Sequence, residues 1–129
     1  MRIGLVLRNL NESSMKLALQ IGVSDIVSGI PGAALADGVY QFQPILAHKK
    51  RVEDAGLTWS VIESMPISDT VKLGLDGRDA EIENWIASLR NVGAAGVPII
   101  CYNWMAGFGW LRTSFSTRHA APASVRSAR

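Results

Sequence analysis

Apolar residues along this chain fall into short blocks, and the blocks alternate between two spacings. Residues 3–7 (IGLVL) are almost wholly apolar and lie between Arg2 and Arg8, the pattern of a strand buried on both faces of a parallel sheet. Asn11, Ser13 and Ser14 then offer N-caps to a helix in which Met15, Ala18, Leu19 and Gly22 follow the i, i+3, i+4, i+7 spacing, with Gly22 placed to end it. A second strand is predicted at Asp25–Ser28. Residues 29–43 contain Gly29, Pro31, Gly32 and Gly38 without a sustained period, so they predict a long loop, and loops of that length are usually functional. Pro44 suits the first turn of a helix whose apolar face is Ile45, Val52 and Ala55 and whose end is Gly56.

The second half repeats the alternation. Residues 57–63 (LTWSVIE) predict a third strand, with Trp59, Val61 and Glu63 on one face and Ser60 and Ile62 on the other. Residues 65–78, with Pro66, Gly74 and Gly77, predict another loop. Asp79 would N-cap the clearest helix in the chain, striped by Ile82, Trp85, Ile86, Leu89 and Gly93, with Glu81 and Glu83 in its first turn and Arg90 in its last. Residues 97–102 then give a fourth strand. The order β-α-β-α-β-α-β is the signature of right-handed βαβ units, so the expected fold class is α/β with about four parallel strands. In a (β/α)₈ barrel the chemistry sits at the C-terminal ends of the strands, and here those ends are polar: Asn9, residues 28–31, Glu63, Tyr102 and Asn103.

Residues 97–113 (VPIICYNWMAGFGWLRT) bring the apolar and polar patterns together, because a strand leads directly into Asn103, Trp104, Trp110 and Arg112 among glycines. No charge occurs between Arg90 and Arg112, and roughly 20 uncharged residues is the length of a membrane span. Pro98, Asn103 and the glycines at 93, 96, 107 and 109 interrupt the segment, so a buried strand is the expectation and no membrane partner is expected.

Composition adds a few limits. The 129 residues are 48% hydrophobic and 19% charged, enough apolar material for the core of an ordinary domain. The first apolar run stops at Arg8, too short for the hydrophobic region of a signal peptide, which makes the cytoplasm the default location. The lone cysteine, Cys101, reads as a small core residue rather than a nucleophile. The basic run at His48, Lys49, Lys50 and Arg51 reads as a solvated helix face, since no second ligand stands at metal-binding spacing. The net charge of +2 resides in Arg112, Arg118, Arg126 and Arg129, apart from which the body is mildly acidic, so a nucleic-acid partner would have to rest on those arginines alone and is not expected.

Three phrases in order carry a resemblance: residues 52–57 (VEDAGL), 59–64 (WSVIES) and 101–113 (CYNWMAGFGWLRT). Together they resemble the mannonate dehydratases, a family of xylose-isomerase-like TIM barrels. The resemblance implies a hydro-lyase that removes water from D-mannonate to give 2-keto-3-deoxy-D-gluconate, in sugar-acid catabolism, with a divalent metal, Mn²⁺ or Fe²⁺. A proton must leave the carbon beside a carboxylate while an acid protonates the departing hydroxyl. It also places Glu63, Tyr102, Asn103 and Arg112 around the mouth as substrate-binding residues, with Arg112 suited to bidentate pairing with the substrate carboxylate. The alternative for Glu63 is a rim carboxylate tied to a backbone N–H, for Arg112 a solvated loop cation, and for Tyr102 and Asn103 packing and loop capping.

The family's metal ligands belong to later strands and have no counterpart here, and the loop after the second strand lacks the histidines of many members. About 250 residues make a complete barrel. The expectation is therefore the N-terminal half of a barrel over residues 1–113, a truncated form without its metal site, followed by a basic, disordered segment at 114–129 (SFSTRHAAPASVRSAR). That segment reads like an out-of-frame product of a GC-rich gene, and its rival reading is a genuine basic arm. Four strands out of eight leave two edges open, so self-association into a homo-oligomer, or pairing with a partner as a non-catalytic half-barrel, is the alternative to catalysis.

Overall fold

The computed structural model describes residues 1–107 and Gly109. Four parallel strands, β1 (Gly4–Val6), β2 (Asp25–Ser28), β5 (Thr58–Ile62) and β6 (Ile99–Ile100), lie side by side in chain order, as consecutive strands of a barrel do. Between them run α1 (Glu12–Gln20), α2 (Phe42–Asp54), the short α3 (Asp69–Lys72) and α4 (Arg78–Ala94). Helix α1 starts as the sequence predicts: Asn11 Oδ1 accepts the Ser14 N–H at 2.9 Å while Ser14 Oγ accepts the Asn11 N–H at 3.2 Å, a reciprocal cap. Gly22, at φ +83°, turns the chain out of that helix.

The core lies between one face of the sheet and the helices. Ile26, Trp59 and Ile62 from the strands meet Ile45 and Val52 of α2 and Val92 of α4, all fully buried. Trp59 and Ile62 point to the same side, contrary to simple alternation. The reason is a bulge: Ile26 pairs with Trp59 but Val27 pairs with Val61, so Ser60 is an extra residue that reverses the facing of Val61 and Ile62. The other face of the sheet carries an aliphatic row in register, Val6 beside Val27, Val27 beside Val61 and Val61 beside Ile99. Val6 is 56% and Ile99 51% exposed. Strand β1 is thus not buried on both faces as its sequence predicts, because among the described residues only β2 flanks it and nothing covers the row.

The expected long loop at 29–43 is organised. It contains a 3₁₀ turn (Gly32–Ala34) and an antiparallel hairpin, β3 (Leu35–Ala36) with β4 (Val39–Tyr40). Asp37 (φ +49°) and Gly38 (φ +77°) form its two-residue turn, the geometry that an Asp-Gly pair favours. Helix α4 holds this hairpin by both backbone polar groups of one residue: Ser88 Oγ accepts the Tyr40 N–H at 3.0 Å, and Asn91 Nδ2 donates to the Tyr40 carbonyl at 2.8 Å. That docking turns the buried side of α4 toward Ser88 and Val92, leaving Ile82 exposed. The helix also begins earlier than predicted, capped by Gly77 at φ +88°, with Asp79 inside its first turn, and it runs to Ala94, so Arg90 is not in its last turn. His48 departs from the solvated-face expectation as well: its ring meets Trp59 edge-on, centroids 4.8 Å apart. No described helix is long and apolar enough to cross a membrane.

Candidate functional site

The C-terminal ends of β5 and β6 are tied together beyond the strands themselves. The Cys101 N–H donates to the Ile62 carbonyl and the Met65 N–H donates to the Cys101 carbonyl, each at 2.9 Å. The ladder therefore fixes Glu63, Ser64, Tyr102 and Asn103 at one end of the sheet. Glu63 is exposed there, its backbone N–H bonded to the Ser28 carbonyl at 3.0 Å. Its carboxylate stands beside the Cys101 thiol and, together with burial, raises the pKa of that thiol. Cys101 is consequently half-buried at the mouth rather than in the core, and a thiol held protonated is a poor nucleophile. Asn103 Nδ2 donates to Ser64 Oγ at 3.1 Å, a bond between the two loops that aims the amide.

Tyr102 turns away from Glu63 and Asn103. Its ring meets Trp85 of α4 edge-on at 6.2 Å, and with Trp104, Tyr40 and Met65 it lines a mainly apolar cavity of about 750 Å³ between the hairpin and α4. Asn103 instead lines a smaller space of about 260 Å³ with Asp69 and Lys72. Of the four residues that the sequence places at the mouth, three are at the C-terminal end of the sheet, and Tyr102 and Asn103 face two different spaces. Arg112 lies outside the described residues, as do residues 114–129.

Sequence reasoning passed over α3. Ser68 caps it by accepting the Val71 N–H at 3.3 Å, and the helix sets Lys72 Nζ 3.2 Å from Asp69 Oδ1 above Asn103. Four helical residues are too few to show a period, and the only local signal was Ser68 before Asp69. Metal binding does not fit these residues: among the described ones no three His, Cys, Asp or Glu side chains converge. Glu63 and Cys101 make only a pair.

Comparison with known proteins bears on what such a mouth belongs to. A mannonate dehydratase from Streptococcus suis is 45% identical over 92 residues, which is 71% of this chain and 25% of the relative. One from Saccharophagus degradans is 43% identical over 112 residues, 84% of this chain and 27% of the relative. The crystal structure of mannonate dehydratase from Streptococcus suis serotype 2 superposes with a TM-score of 0.76 at 37% identity, covering 88% of this chain and 33% of that one. The chain spans about a quarter of the length of the curated relatives it matches. The family model for D-mannonate dehydratase (UxuA) matches residues 8–125, so its match extends past Thr113 into the segment that the sequence reading set apart. With four parallel strands in barrel order and a match over most of its length, this chain belongs to the mannonate dehydratase family.

Proposed function

We propose that these residues form the first portion of the mouth of a hydro-lyase acting on D-mannonate, giving 2-keto-3-deoxy-D-gluconate and water. The observation that carries this reading is the placement of Glu63 and Asn103 on adjacent loops at the C-terminal end of the parallel sheet, in a chain of this family. In this reading Asn103 orients hydroxyls of the sugar acid, Glu63 lies at the rim of the reacting space, and Tyr102 packs the loop against Trp85. A divalent metal would supply charge stabilisation to such a reaction, and its ligands would come from elsewhere in the barrel.

The test is manganese-dependent conversion of D-mannonate by the purified 129-residue chain, run beside the Streptococcus suis enzyme. Activity that survives removal of contaminating host enzyme supports a site assembled by this chain. Inactivity beside a working relative removes the activity from the chain by itself.

A second reading rests on the uncovered row Val6, Val27, Val61 and Ile99 and on the outer edges of β1 and β6, which have no neighbouring strand among the described residues. Such a face acts by pairing, either with a second copy or with other barrel strands. Light scattering on the purified chain distinguishes them: a homodimer supports self-pairing, and a monomer that binds ANS at this face opposes it.

A further inference from the structure

The loops after β5 and β6 border the smaller space, an open depression of about 260 Å³ lined by Asp69, Lys72, Asn103, Met105, Gly107 and Gly109. Both loops leave the C-terminal ends of parallel strands, so the space opens on the face where barrel chemistry is placed. Only 13% of the Lys72 side chain is exposed, whereas a lysine on an ordinary surface keeps its ammonium in water. Its neighbour Asp69, by contrast, is 53% exposed. An ammonium carries three donors, and among the described residues Asp69 fills one of them. Asn103 uses one amide N–H on Ser64, which leaves its second N–H and its carbonyl oxygen without a partner among the described residues. A lysine with most of its side chain buried and one ammonium partner among the described residues, next to a fixed amide that can both donate and accept, matches a small molecule with a carboxylate and a hydroxyl on adjoining carbons.

We propose that this space is the subsite for the carboxylate end of a hydroxy acid, with Lys72 donating to a carboxylate oxygen and Asn103 bonding the neighbouring hydroxyl. The inference deepens the sugar-acid reading above and rests on it for the identity of the acid. Asp69 has a supporting part: it holds the ammonium over the space without filling it.

Calorimetric titration of the purified chain with D-mannonate and with D-mannitol, which has an alcohol in place of the carboxylate, tests the assignment. The parent chain prefers the acid. Lys72→Met weakens D-mannonate binding about 10- to 100-fold, leaves D-mannitol unchanged and so abolishes the preference. Asp69→Asn keeps or tightens acid binding, because it frees the ammonium. If Lys72 served only its ion pair, the two substitutions would act alike, and that result overturns the proposal, as does a parent chain without preference for the acid. Circular dichroism melts on each variant confirm folding. Dehydration measured on the same samples separates the two readings: a lysine-dependent preference without dehydration keeps the subsite and removes the activity. Dehydration with a KM unchanged in Lys72→Met keeps the activity and removes the subsite.

Discussion

Replacing Ser88 by Ala should loosen the β3–β4 hairpin from α4 while leaving the helix itself intact. The hydroxyl does two things: it accepts the Tyr40 N–H at 3.0 Å and donates to the Asn84 carbonyl at 2.9 Å. Only the first is irreplaceable, because the Asn84 carbonyl still accepts the backbone N–H one helical turn on. Stranding a buried donor costs about 1–3 kcal/mol, and a partly buried one such as Tyr40 falls near the lower end. Alanine restores about 0.5 kcal/mol through its better helix propensity. The net loss in global stability is thus about 0.5–1 kcal/mol, read as a lower urea midpoint. The local effect is larger in relative terms: protection of the Tyr40 amide against hydrogen exchange should fall by about tenfold. Asn91→Ala strands the carbonyl of the same residue, so the double variant should lose less than the sum of the singles. An unchanged Tyr40 exchange rate in Ser88→Ala, in a protein that melts as the parent does, would refute the proposition that α4 holds the hairpin.

Gly38→Ala should disturb the same hairpin from its other end, because the residue sits at φ +77° and an added Cβ would lie 2.7 Å from Asn84 Nδ2; a cost of about 1–2 kcal/mol from the left-handed backbone alone should appear as a lower melting temperature. Burial against Trp59 and then the nearby Arg51 lower the pKa of His48 below its ordinary 6.5. The unfolded chain therefore takes up this proton first, so the contribution is intact above about 6.5 and is lost as pH falls from there through the folded value; His48→Gln should flatten that limb of a stability-against-pH curve. Asp25 is held low chiefly by the Ser24 hydroxyl and also by Arg2, so its contribution is present above its ordinary 3.8 and disappears as pH falls through the lower folded value. Asp25→Asn should remove that acid limb, and a curve with the limb retained would assign it to other carboxylates.

The mouth was partly legible in the sequence. Glu63 could be placed as the last residue of the third expected strand and Asn103 as the residue after the fourth, and the C-terminal end of a parallel strand is a position that sequence order alone identifies. The partition of Tyr102 from Asn103 could not. It depends on Trp85, a full helix earlier in the chain, presenting its ring edge to Tyr102, a contact that no local period encodes. Lys72 was missed for a similar reason: a helix of four residues has no face to read, and the value of the lysine comes from its being covered. The Asp37–Gly38 turn was legible in principle, since the pair favours two positive φ values, but without a hydrophobic alternation around it the segment reads as loop.

What the sequence by itself determined is the alternation of strand and helix, the parallel order that such alternation enforces, and, through three phrases of local sequence, the family. The alternation and its order follow from interactions between near neighbours along the chain: caps, apolar spacing and turn-forming residues. Only the tertiary structure decided which side each element buries. The bulge at Ser60 reversed half of β5, the hairpin rotated the buried side of α4, and the outer position of β1 left it open. Facing is set by what lies across the sheet or beside the helix, and those neighbours are distant in sequence.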